Sequence, residues 1–239
     1  MLDDTDIERI LVVTAHPDDV DFGAGGTVAA ATTAGITVTY CIITDGDAGG
    51  SDHEVPRSEI PAIRRSEQRA AGEILGVRDV RFLGYIDGEL TVTHELRRDI
   101  SRVIRQVRPQ RMLIQSPDRN WDRIYGSHPD HLAAGEAAIC AVYPDARNPF
   151  AHTVLFQDEG LADWAVPEVW VFGTPTPNHY VDATEHFDPK IEALRAHISQ
   201  TAHMDDLADR VRGWMTMQAA EAGMPDGRLA EAFMVVNTA

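Results

Sequence analysis

The sequence predicts an α/β fold, a single Rossmann-like domain over residues 1–239 with a mostly parallel sheet and helices on both faces. Three observations predict it. Short apolar runs rich in β-branched residues alternate with longer segments of helical period, the pattern of right-handed βαβ units. No composition break, internal repeat or low-complexity linker divides the 239 residues, a length that suits one large domain. With 44% hydrophobic residues, the chain can bury a substantial core without disulfides.

Taken in order, residues 10–15 (ILVVTA) form a short apolar run followed at once by polar residues and glycine, which predicts a buried parallel strand. Residues 25–34 are small and apolar and predict the start of a closely packed helix. Residues 36–44 (ITVTYCIIT) are β-branched and continuous, a second buried strand. The polar, glycine-rich segment 45–56 has no helical period and predicts a loop. Residues 60–75 carry apolar side chains at helical spacing, with Gly76 as the C-terminal stop. A third strand is expected at 80–83, a helix at 95–107 ended by Pro109, and a fourth strand at 111–115 (RMLIQ). Beyond a long loop come a helix from about 130 to 142, strands at 168–172 and 179–181, helices at 189–203 and 206–222, and a last strand at 233–236.

Charge and cysteine usage narrow the function. The net charge is −17, from 21 basic and 38 acidic residues. Such a surface repels phosphate backbones and anionic lipids, which argues against nucleic-acid and membrane partners. No stretch reaches the roughly 20 apolar residues of a membrane span. The acidic start of the chain lacks the basic region of a signal peptide. Cys41 and Cys140 both sit in apolar runs and read as small buried hydrophobes, so a reducing cytoplasm is expected.

Two motifs carry chemistry. Ala15-His16-Pro17-Asp18-Asp19 follows the first strand; His128-Pro129-Asp130-His131 follows the fourth and opens a helix. Alone, either is usually a turn with a helix cap. In the common doubly wound strand order 3-2-1-4-5, however, strands one and four are neighbours at the topological switch point, and loops at their carboxyl ends face one crevice. Two such motifs meeting there predict a metal site. A catalytic zinc site needs about three protein ligands and leaves a fourth position for water, whose pKa the ion lowers toward ~7. His16, Asp19 and His131 would make a His₂Asp set. Asp18 would point elsewhere and accept a proton. His128 would face a reacting carbonyl, and Asp130 could orient one of the imidazoles.

At these residues the chain resembles the LmbE-like, or PIG-L, zinc de-N-acetylases. Supporting matches run through Gly25-Gly26-Thr27, Arg64-x-x-Glu67 before Leu75-Gly76, Phe82-Leu83-Gly84 with Asp87-Gly88, and residues 190–200 (KIEALRAHISQ). The resemblance implies a hydrolase that removes an N-acetyl group from an N-acetylglucosamine-type sugar or its conjugate. It implies one Zn²⁺ per chain, other divalent ions being open, held by His16, Asp19 and His131. Asp18 would be the general base, and His128 would stabilise the oxyanion or act as acid with Asp130 holding it. Arg64 matches a substrate-contacting arginine of the family. A family tyrosine lies two residues before the second motif, where this chain has Gly126; Tyr125 is one residue further away. The expected partner is a small amino-sugar or glycoconjugate substrate, and a homo-oligomer is left open.

Other residues have plainer readings. Asp45, Asp47, Ser51, Asp52 and His53 belong to a solvated loop or a substrate wall. Arg64 and Glu67, on one helix face, could form an i,i+3 ion pair. His197 and Gln200 share a helix face and read as packing. Among competing functions, an amidase acting on a larger thiol or glycosyl conjugate could use the same site. A dinucleotide-binding oxidoreductase is disfavoured because the glycine-rich fingerprint needs glycine where Val28 stands. A catalytically inactive sugar-binding relative is disfavoured because every catalytic residue type is present.

Overall fold

The computed structural model describes residues 1–50 and 54–238; the loop readings for Ser51, Asp52 and His53 fall outside the described residues. Strand β1 (Arg9–Thr14) leads through the first motif into helix α1 (Asp19–Thr33), then β2 (Thr37–Thr44), α2 (Ile60–Ile74), β3 (Asp79–Tyr85), α3 (His94–Val107) and β4 (Arg111–Gln115). The second motif opens α4 (Pro129–Cys140), followed by the short α5 (Thr153–Gln157), β5 (Glu168–Phe172) and β6 (His179–Asp182). Helices α6 (Phe187–Ala196), α7 (Ile198–Thr201) and α8 (Leu207–Glu221) precede β7 (Ala230–Asn237). The sheet order is β3-β2-β1-β4-β5-β7-β6. The first five strands are parallel, and β7 pairs antiparallel with both β5 and β6.

Alternation along the central strands divides the core. Leu11 and Val13 of β1 face α3 and α4, packing with Leu96, Ile100 and Ala134. Ile10 and Val12 face the other way, toward Val20, Ala24 and Val28 of α1 and Ala71 of α2. A third cluster seals α6 against α8 through Phe187, Ile191, Leu194, Val211 and Met215. The β1 and β4 ladders run level, Val13 opposite Ile114, so the chain leaves both strands at the same carboxyl edge. The side chain of Gln115 joins the two exits, its Oε1 accepting the Ala15 N–H at 2.7 Å. Helix α4 crosses so close to the end of β4 that a Cβ on Gly135 would lie 2.4 Å from the Gln115 carbonyl oxygen.

Three helices depart most from the sequence reading. Helix α1 begins at Asp19 rather than near residue 25. Acidic Asp19 and Asp21 suit a helix N-terminus, and the glycines thought to start the helix are contact points within it: a Cβ at Gly26 would lie 2.7 Å from the Ala183 Cβ. The expected helix over 189–203 is two, because His197 leaves the helical region at φ −81° and ψ 62° while its ring engages Asp21. Helix α5 carried no period that could predict it.

Candidate metal centre and active site

The turn between β1 and α1 and the start of α4 bring the two motifs together. His16 Nδ1 and His131 Nε2 lie 3.2 Å apart. Asp19 completes the group, Oδ2 at 3.4 Å from His16 Nδ1 and Oδ1 at 3.0 Å from His131 Nε2. Ligands bonded to zinc at about 2.0–2.2 Å in a tetrahedron stand about 3.3–3.6 Å from one another, close to the spacing of these three side chains, with Asp19 offering one oxygen to each histidine's side. The far side of each imidazole is also held. His16 Nε2 meets Asp87 Oδ1 at 3.0 Å and Asp130 Oδ2 at 3.2 Å, and His131 bonds to the Gly126 backbone. Metal-binding histidines are fixed in this way, by a carboxylate or carbonyl on the other ring nitrogen.

The electrostatics are those of a place that wants positive charge. Burial alone would lower the His16 pKa, yet Asp19, Asp130 and Asp87 together push it up to about 12. His131 is likewise raised, Asp19 outweighing burial. Burial works on Asp19 in the opposite sense, but His131 and His16 hold it well below the usual carboxylate range.

Asp18 stands apart from this group. Its backbone is left-handed, φ 91°, which turns its side chain off the course taken by Asp19. Burial raises its pKa to about 6, against the pull of Arg64. Arg64 is only 3% exposed. Nη2 donates to the Pro17 carbonyl at 2.6 Å and to Asp18 Oδ2 at 3.2 Å, and Nη1 to the Gly46 carbonyl at 2.9 Å. The sequence offered Glu67 or a substrate as its partner. Glu67 instead accepts from the Ser199 N–H and hydroxyl, and Arg64 reaches the site through Asp18.

His128 caps α4. Its Nδ1 accepts the Asp130 backbone N–H at 3.2 Å, which leaves Nε2 as the protonated nitrogen of a neutral ring. Burial, with His16 and His131 close by, lowers its pKa. The three imidazoles lie near enough for nitrogens of His16, His128 and His131 to share an ion, although His128 Nδ1 is already engaged by the Asp130 N–H. Asp130 was expected to hold His128. Its carboxylate lies on His16 instead and accepts from the Gly88 and Leu90 amides; only its backbone touches His128.

Asp87 entered the sequence reading only as part of a supporting match with Gly88 and was given no role; it follows β3 at the same sheet edge as both motifs. Its other oxygen accepts from the Ala48 N–H, and its own N–H donates to Asp47, which ties the glycine-rich loop to the site. Asp45 pairs with Arg65. Tyr125 is exposed, with Arg123 above its ring.

The family model described as PIG-L, GlcNAc-PI de-N-acetylase, matches residues 11–142, which includes both motifs. A diacetylchitobiose deacetylase of Thermococcus kodakarensis is 37% identical, over 82% of this chain and 71% of its own. A probable N-acetyl-α-D-glucosaminyl L-malate deacetylase of Bacillus cereus is 35% identical, over 82% of this chain and 85% of its own. Among solved structures, N,N′-diacetylchitobiose deacetylase from Pyrococcus horikoshii, bound to an inhibitor, superposes with a TM-score of 0.88 at 30% identity, covering 98% of this chain and 85% of that one. Sequence, topology and the convergence of the two motifs agree: the chain belongs to the PIG-L family of de-N-acetylases.

Proposed function

We propose that this protein is a zinc-dependent hydrolase that removes the acetyl group from an N-acetylglucosamine-type sugar or its small conjugate, with His16, Asp19 and His131 as the ligands of one ion. The observation that carries the reading is the convergence of His16 Nδ1, His131 Nε2 and the two Asp19 carboxylate oxygens at 3.0–3.4 Å, flanked by the Asp18 carboxylate and the His128 imidazole. A bound divalent ion would polarise the amide carbonyl and make water nucleophilic near neutral pH.

The chain's own side chains supply the rest. Asp18 accepts the proton of the attacking water and returns it to the leaving nitrogen. A carboxyl raised toward neutrality by burial is a better acid for that second step than an ordinary aspartate, and remains largely ionised at pH 7. Arg64 keeps Asp18 charged and fixes one of its oxygens. His128 donates from Nε2 to the oxyanion as it forms, and needs no positive charge of its own to do so. Asp87 and Asp130 hold His16 by Nε2, which leaves Nδ1 on the side of Asp19 and His131, where it would bind an ion.

The comparisons support an N-acetylated amino sugar, since the relatives named above are deacetylases of diacetylchitobiose and of a glucosaminyl malate. Two free cysteines suit the cytoplasm, and the net charge of −17 disfavours nucleic-acid and membrane partners. No helix among the described residues is long and apolar enough to cross a membrane. The test is release of free amine from a panel of N-acetylated mono- and disaccharides and glycoconjugates by the metal-loaded protein. Amine from at least one sugar amide, and no acetate from an O-acetyl ester sugar, is the expected result. No amine from any of them would overturn the reading.

A further inference from the structure

Asp18 and Asp19 are adjacent, yet one carboxylate points to His16 and His131 while the other does not. The backbone of Asp18 holds this divergence at φ 91° and ψ −26°, a left-handed conformation that a residue with a Cβ keeps only where its surroundings impose it. The structure identifies what imposes it. The single peptide unit joining Pro17 to Asp18 is gripped at both ends by α2: its carbonyl accepts from Arg64 Nη2 at 2.6 Å, and its N–H donates to Gln68 Oε1 at 2.8 Å. Arg64 and Gln68 lie one helical turn apart, on the same face.

Gln68 is itself locked. Its Nε2 donates to Asp21 Oδ2 at 2.8 Å, which leaves Oε1 free to face Asp18. The same Asp21 oxygen meets His197 Nε2 at 2.8 Å. Gln68, Asp21 and His197 are all fully buried, and among the described residues Asp21 Oδ1 and His197 Nδ1 have no hydrogen-bond partner. A buried polar chain that is not fully matched adds little to stability; what it does here is fix the side chain of Gln68.

We propose that Gln68, oriented by Asp21 and His197, is a positioning residue that holds Asp18 in its left-handed turn and so separates the proton acceptor from the metal ligand beside it. This rests on the reading above, in which Asp18 is the general base. Gln68 touches neither the candidate ligands nor solvent, and acts on the reaction through the Asp18 amide.

The test uses the metal-loaded full chain with Gln68→Met, which keeps length but loses both hydrogen bonds, and Gln68→Glu, which when protonated keeps an acceptor and a donor. Gln68→Met should lower kcat about tenfold to a hundredfold, the scale of an ångström-sized misplacement, with KM and metal content unchanged. Gln68→Glu should recover most of the loss. Hydrogen exchange gives a readout independent of activity: the Asp18 amide should be as protected in the wild type as the amides of β1, and should exchange faster in Gln68→Met. Wild-type kcat in Gln68→Met, or a loss that follows metal content, would overturn the proposal. If Gln68→Met does not fold, a wild-type Asp18 amide exchanging at the rate of a solvated loop overturns it by itself. Asp18→Asn, measured alongside, separates the two ideas. If it is inactive while Gln68→Met is not impaired, only the positioning role fails; if Asp18→Asn keeps full kcat, the base assignment fails and takes this proposal with it.

Discussion

Two clusters of imidazoles and carboxylates stand at opposite ends of the α4 region, built from the same residue types and balanced differently. Beyond the C-terminal end, Asp145 receives Arg97 on both oxygens, at 2.7 and 2.9 Å, and His152 at 3.1 Å. His94 packs on His152 with ring centroids 4.4 Å apart, and Arg105 ties down the carbonyls of Asp145, Ala146, Asn148 and Ala151. Every carboxylate charge there is answered by an arginine, and burial lowers the His152 pKa despite Asp145. At the N-terminal end, Asp19, Asp87 and Asp130 take their hydrogen bonds from His16, His131 and backbone amides. Negative charge is in surplus, and the histidines are driven toward protonation to meet it. A His–Asp cluster closed by arginine is a brace; one left short of positive charge has room in its charge balance for a cation.

The largest effect should come from breaking the open cluster. His131→Ala should abolish metal binding and reduce amine release to that of metal-stripped protein, because two remaining ligands hold zinc poorly. Asp145→Asn, in the closed cluster, should leave metal content and kcat unchanged. Elemental analysis with an amine assay checks both, and equal losses would erase the distinction.

Next in size are the groups beside the metal. Asp18→Asn should keep its metal and lose about 10²–10⁴ in kcat, the range of general acid–base help. His128→Ala should cost about 10²–10³, the range for one oxyanion donor. Activity of the wild type should fall on the acid side as Asp18 is protonated. Metal loss in either variant would move that residue into the ligand set.

Smaller effects probe the supports. Asp87→Asn should weaken metal affinity about tenfold to a hundredfold, as loss of a carboxylate behind a metal-binding histidine does; a metal-competition titration reads it. Asp145 bears on stability alone. Burial opposes its ionisation, but bonds from Arg97 and His152 hold its pKa below the usual value. A group depressed in the folded state stabilises above its unfolded pKa and loses that contribution as pH falls through the folded one. Acid unfolding should therefore be less steep in Asp145→Asn, with about 1–3 kcal/mol lost at neutral pH. An unchanged acid limb would mean that other carboxylates set it.

What could be read from the sequence was local. His16 with Asp19, and His128 with His131, sit within single turns, so spacing alone groups them; buried strands before each motif then predict that they meet. Alternating elements predict a doubly wound sheet, and its commonest order, 3-2-1-4-5, is the one the first five strands adopt. Partners distant in sequence were not legible. Helical phase put Arg64 and Glu67 on one face of α2, but nothing in that pattern says that Pro17 and Asp18 cover the first and Ser199 the second. The residues alone left open which imidazole Asp130 orients and the resemblance implied His128, whereas the turn of α4 swings its carboxylate to His16. His197 read as packing, which is true of its burial and silent about Asp21. A lone aspartate such as Asp87 has no spacing to betray it.

The account turns on one ion at one place, and a zinc titration tests it most directly. Protein stripped with a chelator and returned to zinc in steps should regain amide hydrolysis in proportion to bound metal, saturating at one ion per chain. His131→Ala, titrated in parallel, should take up no stoichiometric zinc and regain nothing. Full hydrolysis by stripped protein, or one equivalent of zinc held tightly by His131→Ala, would contradict the assignment of His16, Asp19 and His131.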